Sequence, residues 1–191
     1  MIFETIVSTV DEQGKPHVTP FGVRYESNLV VISPYKPSAT LENILATKCA
    51  VLNLTDDVRV FAGAITRQQS LDLLPTTKVN GVRLANTLAH KELTLIKVQD
   101  DALRPQLFFE VVLEAQHHAF NGFNRAQGAV IELAVLASRL HLLPREKIET
   151  EISYLKIAID KTAGEREQQA WQWLMEKIDN FYAEQTGENL A

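Results

Sequence analysis

An α+β fold is predicted for this chain by three observations. β-rich segments punctuated by turn residues run from Phe3 to Ala115. Helical periodicity takes over from Ala126 onward, and the two kinds of segment are segregated rather than alternating.

The strands come first. Phe3 to Val10 is rich in Ile, Val and Thr and stops at Asp11-Glu12-Gln13-Gly14, where a glycine suits positive φ. His17 to Tyr25 resumes as HVTPFGVRY, and Leu29 to Ser33 follows Ser27-Asn28, so two adjacent hairpins form an antiparallel meander. Pro20 cannot donate to a ladder and Gly22 has nothing to pack. Mid-strand, the pair marks an edge, a bulge or a close approach to the backbone. Leu41, Ile44 and Leu45 share one helical face, after which Cys49 to Leu54 and Val58 to Ile65 read as strands around Thr55-Asp56-Asp57. Thr66 to Asn80 reads as a short helix and loop. Leu93 to Val98 and Leu107 to Ala115 make a long hairpin across Asp100-Asp101. Ala126 to Leu143 is helix-forming and apolar on most sides, hence buried, and Pro144 stops it. Arg145 to Lys161 and Glu165 to Phe181 are amphipathic helices, the last with Trp171, Leu174, Met175 and Ile178 on one face.

Composition narrows the function. The 191 residues are 46% hydrophobic and 23% charged, ordinary for a soluble globular protein long enough to bury a core. A net charge of −5 argues against general nucleic-acid binding, which needs Lys and Arg to neutralise phosphates. The single cysteine, Cys49, has no intramolecular partner and sits in an apolar run that suits packing. The N-terminal stretch lacks the basic and apolar regions of a signal peptide, and no segment reaches the roughly 20 apolar residues of a membrane span. The expectation is a cytoplasmic protein with no membrane partner.

The stretch SPYKPSATLENI places Lys36, Ser38 and Thr40 where a helix begins. Such a terminus offers unpartnered N–H groups and about half a positive charge, to which hydroxyls and a lysine add the parts of an anion site. Ser is also a common N-cap and a lone lysine commonly points into water, so the stretch alone leaves both readings open.

The order of its neighbours decides more. Thr19-Pro20-Phe21-Gly22 precedes, Lys36 and Ser38 follow, then Thr40-Leu41-Glu42-Asn43-Ile44, then Val51-Leu52-Asn53. This succession resembles the FMN-binding split barrels of the flavin-reductase type. ETIVST at Glu4 to Thr9, TPFGV, FNRAQGAVIE at Phe123 to Glu132 and the Arg139-Leu140 pair resemble signatures of a prokaryotic domain-of-unknown-function family that adds C-terminal helices to this barrel. The resemblance implies an antiparallel split β-barrel over residues 1–122 and a three-helix extension over residues 123–191. It implies bound FMN and a homodimer with the cofactor near the subunit interface. In cofactor roles it puts the backbone of Thr19, Pro20, Phe21 and Gly22 against the ring, and Lys36, Ser38 and Thr40 at the phosphate. Asn43 would cap the helix or bond the ribityl chain, and Asn53 would serve the cofactor or close its strand. If the phosphate lies elsewhere, Arg67, Lys78 and Arg83 are next in line.

Two other constellations carry less. His117 and His118 would point to opposite faces of a strand, and His17, His90 and His141 show no ligand spacing, so no metal site is expected. Arg125, Glu132 and Arg139 recur every seven residues on the helix read as buried, which suggests an ion-pair ladder, with ligand contact by Arg125 as the alternative. The function expected is that of an FMN-binding reductase or oxidoreductase, with a nicotinamide or another small molecule as electron donor and no catalytic acid or base named. The alternatives are a non-catalytic flavin-binding or interaction module, or a pocket for a deazaflavin or pterin.

Overall fold

The computed structural model describes residues 1–68 and 70–187. The chain divides into two compact units. One comprises Met1–Asp56 and Leu71–Phe120; the other comprises Asp57–Ser70 and the chain from Asn121 onward.

The first unit is a closed six-stranded antiparallel barrel. Its strands are β1 (Phe3–Val10), β2 (Pro16–Glu26), β3 (Leu29–Ile32), β4 (Cys49–Leu54), and two longer ones separated from these by the short pair β5 (Leu73–Pro75) and β6 (Val82–Leu84). The long strands are β7 (Ala89–Gln99) and β8 (Gln106–Gln116), and the order round the barrel is β1-β2-β3-β8-β7-β4. The helix α1 (Ala39–Thr47) connects β3 to β4 and contributes Leu41 and Ile44 to the interior, among Val7, Val23, Ile32, Leu52, Leu93, Leu107 and Phe109. Alternation along the strands does this: Phe21 and Val23 meet the core while Gly22 and Arg24 between and beyond them do not.

The barrel is unevenly stitched. Every residue of β1 pairs with β2, and β7 pairs with β8 almost end to end. β2 meets β3 only from Arg24 to Glu26, and β3 meets β8 only from Val30 to Ile32. β1 likewise meets β4 only from Ile6 to Ser8, so what sets the flank of β2 and β3 apart, and makes it the split flank, is the stretch of β2 before Arg24, whose other edge no described strand pairs.

The second unit is helical: α2 (Arg59–Thr66), α3 (Arg125–Ala137), α4 (Arg145–Thr162) and α5 (Glu165–Thr186). Val58, Ala62, Ala126, Val130, Leu133, Ile148, Leu174 and Ile178 are its core.

Three sequence expectations are corrected. Val58 to Ile65 is a helix, because Val58, Phe61 and Ala62 are buried at helical spacing and the apolar face packs within the helical unit, overriding β-branched propensity. Thr66 to Asn80 holds no second helix among its described residues; the segment is loop plus β5, and Gln69 lies outside the described residues. The charge ladder on α3 does not form. Arg125, Glu132 and Arg139 are all exposed, and among the described residues none of them has an ion pair, because the helix buries one stripe rather than its whole circumference.

Candidate functional site at the split flank

β2 shows how the split arises. Thr19, Pro20, Phe21 and Gly22 pair with Val7, Ile6, Thr5 and Glu4 of β1, and the Thr5 hydroxyl donates to the Phe21 carbonyl at 3.0 Å. No described strand pairs with their other edge, since the ladder to β3 starts only at Arg24. Pro20, lacking an N–H, is tolerated at such an edge. All four residues are half-buried, so they present backbone and side-chain surface to whatever lies alongside. A Cβ on Gly22 would come within 2.8 Å of the Ile2 side chain, so the approach this glycine permits is by Ile2 of the chain itself.

Beyond β3 the chain leaves the sheet towards α1. Ser38 is the N-cap: with extended backbone (φ −157°, ψ 143°) its hydroxyl oxygen accepts from the Leu41 amide at 3.4 Å. The amides of Ala39 and Thr40 have no acceptor within the helix, which leaves donors at the mouth of α1. Thr40 is 2% exposed, so its side chain belongs to the wall of the site rather than to its opening. Lys36 precedes a cis peptide to Pro37. Its ammonium contacts Asp100 Oδ1 at 2.6 Å, and this hydrogen bond holds the Asp100 carboxyl below its ordinary range. The lysine charge near α1 is thus already engaged, on a partner too exposed to hold it firmly.

Asn43 and Asn53 are placed differently from each other. Asn43 is 8% exposed and donates to the Thr9 hydroxyl at 3.0 Å, tying α1 to β1. Asn53 is fully buried. Its amide nitrogen donates to Ser8 Oγ at 3.0 Å and to Ile6 O at 3.3 Å, and its Oδ1 accepts from the Leu84 amide at 2.8 Å. Asn53 therefore joins β1, β4 and β6, and has no surface to offer a ligand.

The opposite flank contains a polar cluster that sequence reading did not assemble. Glu92, at zero exposure, accepts from the amides of Thr77 (2.8 Å), Lys78 (2.5 Å) and Val79 (2.9 Å). Burial alone would raise its carboxyl, but those three amides, with His90 adding to them, bring it below its ordinary range. His90 Nε2 lies 3.3 Å from Glu92 Oε1, and His90 Nδ1 lies 2.9 Å from His117 Nε2, with the two rings stacked. Burial, and then the charges of Arg83, His90 and His118, push the His117 pKa down. His90 and Glu92 share a face of β7, which begins at Ala89 rather than at the Leu93 expected from the sequence. The loop amides of Thr77 to Val79 and the turn that brings in His117 just after β8 complete the cluster, and neither has a local sequence signal. Among the described residues no group of three His, Cys, Asp or Glu side chains could hold a metal ion, and no helix is long and apolar enough to cross a membrane.

Comparison with known proteins bears on this geometry. The N-terminal domain of the family described as "Protein of unknown function (DUF447)" matches residues 3–118, and a second DUF447 domain matches residues 124–176. Among solved structures, the FMN-bound DUF447 protein of Methanosarcina mazei superposes with a TM-score of 0.79 at 22% identity, covering 92% of this chain and 94% of that one. The 2-nitrobenzoate 2-nitroreductase of Pseudomonas fluorescens gives a TM-score of 0.52 at 22% identity, covering 60% and 64%. The NADH:FAD oxidoreductase of Streptomyces globisporus gives 0.53 at 15% identity, covering 61% and 77%. These likenesses establish the split-barrel fold. No curated protein matches the sequence.

Proposed function

The chain belongs to the DUF447 family, and from that premise we propose that it binds FMN at the split flank and acts as a flavin-dependent reductase. The observation that carries this reading is the unpaired edge of Thr19–Gly22, which stops just where β3 departs for the capped start of α1. The M. mazei protein of the same family is FMN-bound, which supports the choice of ligand.

The residues present suit such a group. A flat ring needs an open slot bordered by backbone, which the free edge of β2 supplies. A phosphate needs converging donors, and Ser38 can still donate its hydroxyl hydrogen while its oxygen caps Leu41, alongside the amides of Ala39 and Thr40. Lys36 reaches a phosphate by exchanging Asp100 for it. Thr40 forms the wall beneath, and Asn43 holds α1 in register through Thr9. When bound, the flavin supplies the electron transfer, and the protein contributes position and electrostatics. A nicotinamide donor fits the NADH:FAD oxidoreductase among the structural relatives. A homodimer fits the apolar residues Ile96, Val98 and Val112 left exposed on β7 and β8.

The test is to purify the full chain, denature it, and identify any released ligand by mass spectrometry, then titrate the emptied protein with FMN and with riboflavin. Tight FMN binding with weaker riboflavin binding is expected. A colourless protein that develops no flavin spectrum in excess FMN refutes the proposal. NADH oxidation under steady-state conditions then separates a reductase from a module that only holds flavin.

A further inference from the structure

A second polar recess lies on the same flank, and neither Lys36 nor α1 lines it. It has a volume of about 150 Å³ and is lined by Ile2, Gly22, Arg24, Ser33, Arg104 and Gln106. Four separate stretches of chain meet here where β2 and β3 part company: Ile2 comes from just before β1, Gly22 and Arg24 from β2, Ser33 from the first residue beyond β3, and Arg104 and Gln106 from the end of the turn and the start of β8. We propose that this recess is a seat for a small oxyanion, the phosphate or carboxylate group of a ligand.

Its chemistry is that of an anion site. Arg104 is held by one edge only, with Nε donating to the Ser33 carbonyl at 2.9 Å and the guanidinium 4.9 Å from the centre of the Tyr35 ring. No carboxylate pairs with it among the described residues, so the rest of its planar fork is free to take two oxygens side by side. Arg24 is fixed differently: Nε donates to Glu26 at 2.8 Å and Nη2 to Gln106, which aims the guanidinium along the recess. Ser33 is the independent sign of a ligand. It is 7% exposed, and its hydroxyl is buried with no hydrogen-bond partner, a state that costs roughly 1–3 kcal/mol unless something completes it. The hydroxyl can donate to an anion that both arginines attract. Gly22 widens the recess by lacking a side chain where Ile2 and Glu4 lie close. The Glu4 carboxylate near Gly22 and Glu26 beside Arg24 offset part of the positive charge, so the pull on an anion falls chiefly to the Arg104 fork and the Ser33 hydroxyl.

The seat stands on its own residues. If the reading above is also right, the recess adjoins the edge along which the ring would lie. Its occupant is then the acidic group of the molecule that exchanges electrons with the flavin, whose own phosphate that reading places at α1.

The decisive experiment titrates the emptied full-length protein with sodium phosphate in a chloride buffer, following binding by calorimetry. Saturable binding is expected, weakened about tenfold or more in Arg104→Gln, the loss of one charge-assisted contact. Arg104→Lys, which keeps charge without the fork, falls between the two and guards against misfolding of the Gln variant. Binding retained in Lys36→Gln assigns the ion to the recess. Loss in Lys36→Gln with none in Arg104→Gln puts the ion at α1 and overturns the proposal, as does an absence of saturable binding. FMN and riboflavin titrations of Arg104→Gln then identify the source. Weakened FMN with unchanged riboflavin makes the oxyanion the flavin's own phosphate and moves that phosphate from α1 to the recess. Both flavins unchanged beside weakened phosphate makes it a separate acid.

Discussion

The two flanks of the barrel treat polar side chains in opposite ways. On the closed flank, where β1, β4, β6 and β7 meet, Asn53, Ser8, Glu92 and His90 are buried and every one is hydrogen-bonded to protein. On the split flank, among the described residues, Ser33 has a buried hydroxyl without a partner, Arg104 has no carboxylate, and one edge of Thr19–Gly22 is unpaired. Both flanks contain Asn, Ser and charged residues. What separates structure from function here is whether hydrogen-bonding capacity is already filled, since an unfilled buried group persists only at a cost.

That contrast can be broken first by emptying the closed flank. Asn53→Ala removes the acceptor of the Leu84 amide and the donor to Ser8 in a site with no access to water. A loss of about 3 kcal/mol is expected from urea unfolding. If stability were kept and flavin affinity fell instead, Asn53 would belong to the ligand. Glu92→Gln comes next, at about 2 kcal/mol, because an amide cannot accept three N–H bonds as a carboxylate does, and its own NH₂ would face donors from Thr77 to Val79.

The fold was more legible than the site. Strands β1 to β4, the long hairpin and the last helices follow from local alternation, turn residues and helical spacing, and their limits agree with the sequence to within a few residues. Val58 to Ile65 misled because VRVFAGAI has β-branched residues at strand-like positions, and only packing against α3 and α5 makes a helix of it. β5 and β6 are three residues each and carry no period. At the site, Ser38 was readable because an N-cap is local. Ser33, Arg104 and Gly22 could not be joined from sequence, since they come together only where two strands diverge. Asn53 was readable as a strand-end residue, but its complete set of internal partners depends on β6, which the sequence concealed.

Acid sharpens the comparison in a graded way. His117 has its pKa lowered from the ordinary 6.5, so between the folded and unfolded values the unfolded chain binds more protons and stability falls as pH drops below 6.5. Glu92 and Asp57 have carboxyls lowered from 4.5 and 3.8; their contributions are complete above those values and disappear as pH falls through the lower folded ones. Urea midpoints measured from pH 8 to pH 3 should decline in these two windows. A flat profile between pH 7 and 5 would remove the His117 contribution.

Smaller stability effects are expected on the split flank. Ser38→Ala removes a long cap bond and should cost about 1 kcal/mol of stability while weakening FMN about tenfold. Equal effects on FMN and riboflavin would take the phosphate away from this helix. Gly22→Ala is the mildest, because Ile2 is 67% exposed and can move aside from the new methyl. Thermal unfolding should register less than about 0.5 kcal/mol.

The division between flanks is tested most directly by hydrogen–deuterium exchange of the full chain with and without excess FMN. Slowed exchange is predicted at residues 19–22 and 38–41, with residues 76–79 and 90–92 unchanged because their amides and carboxylate are already satisfied. Protection confined to the closed flank, or none anywhere while FMN is bound, would contradict the account.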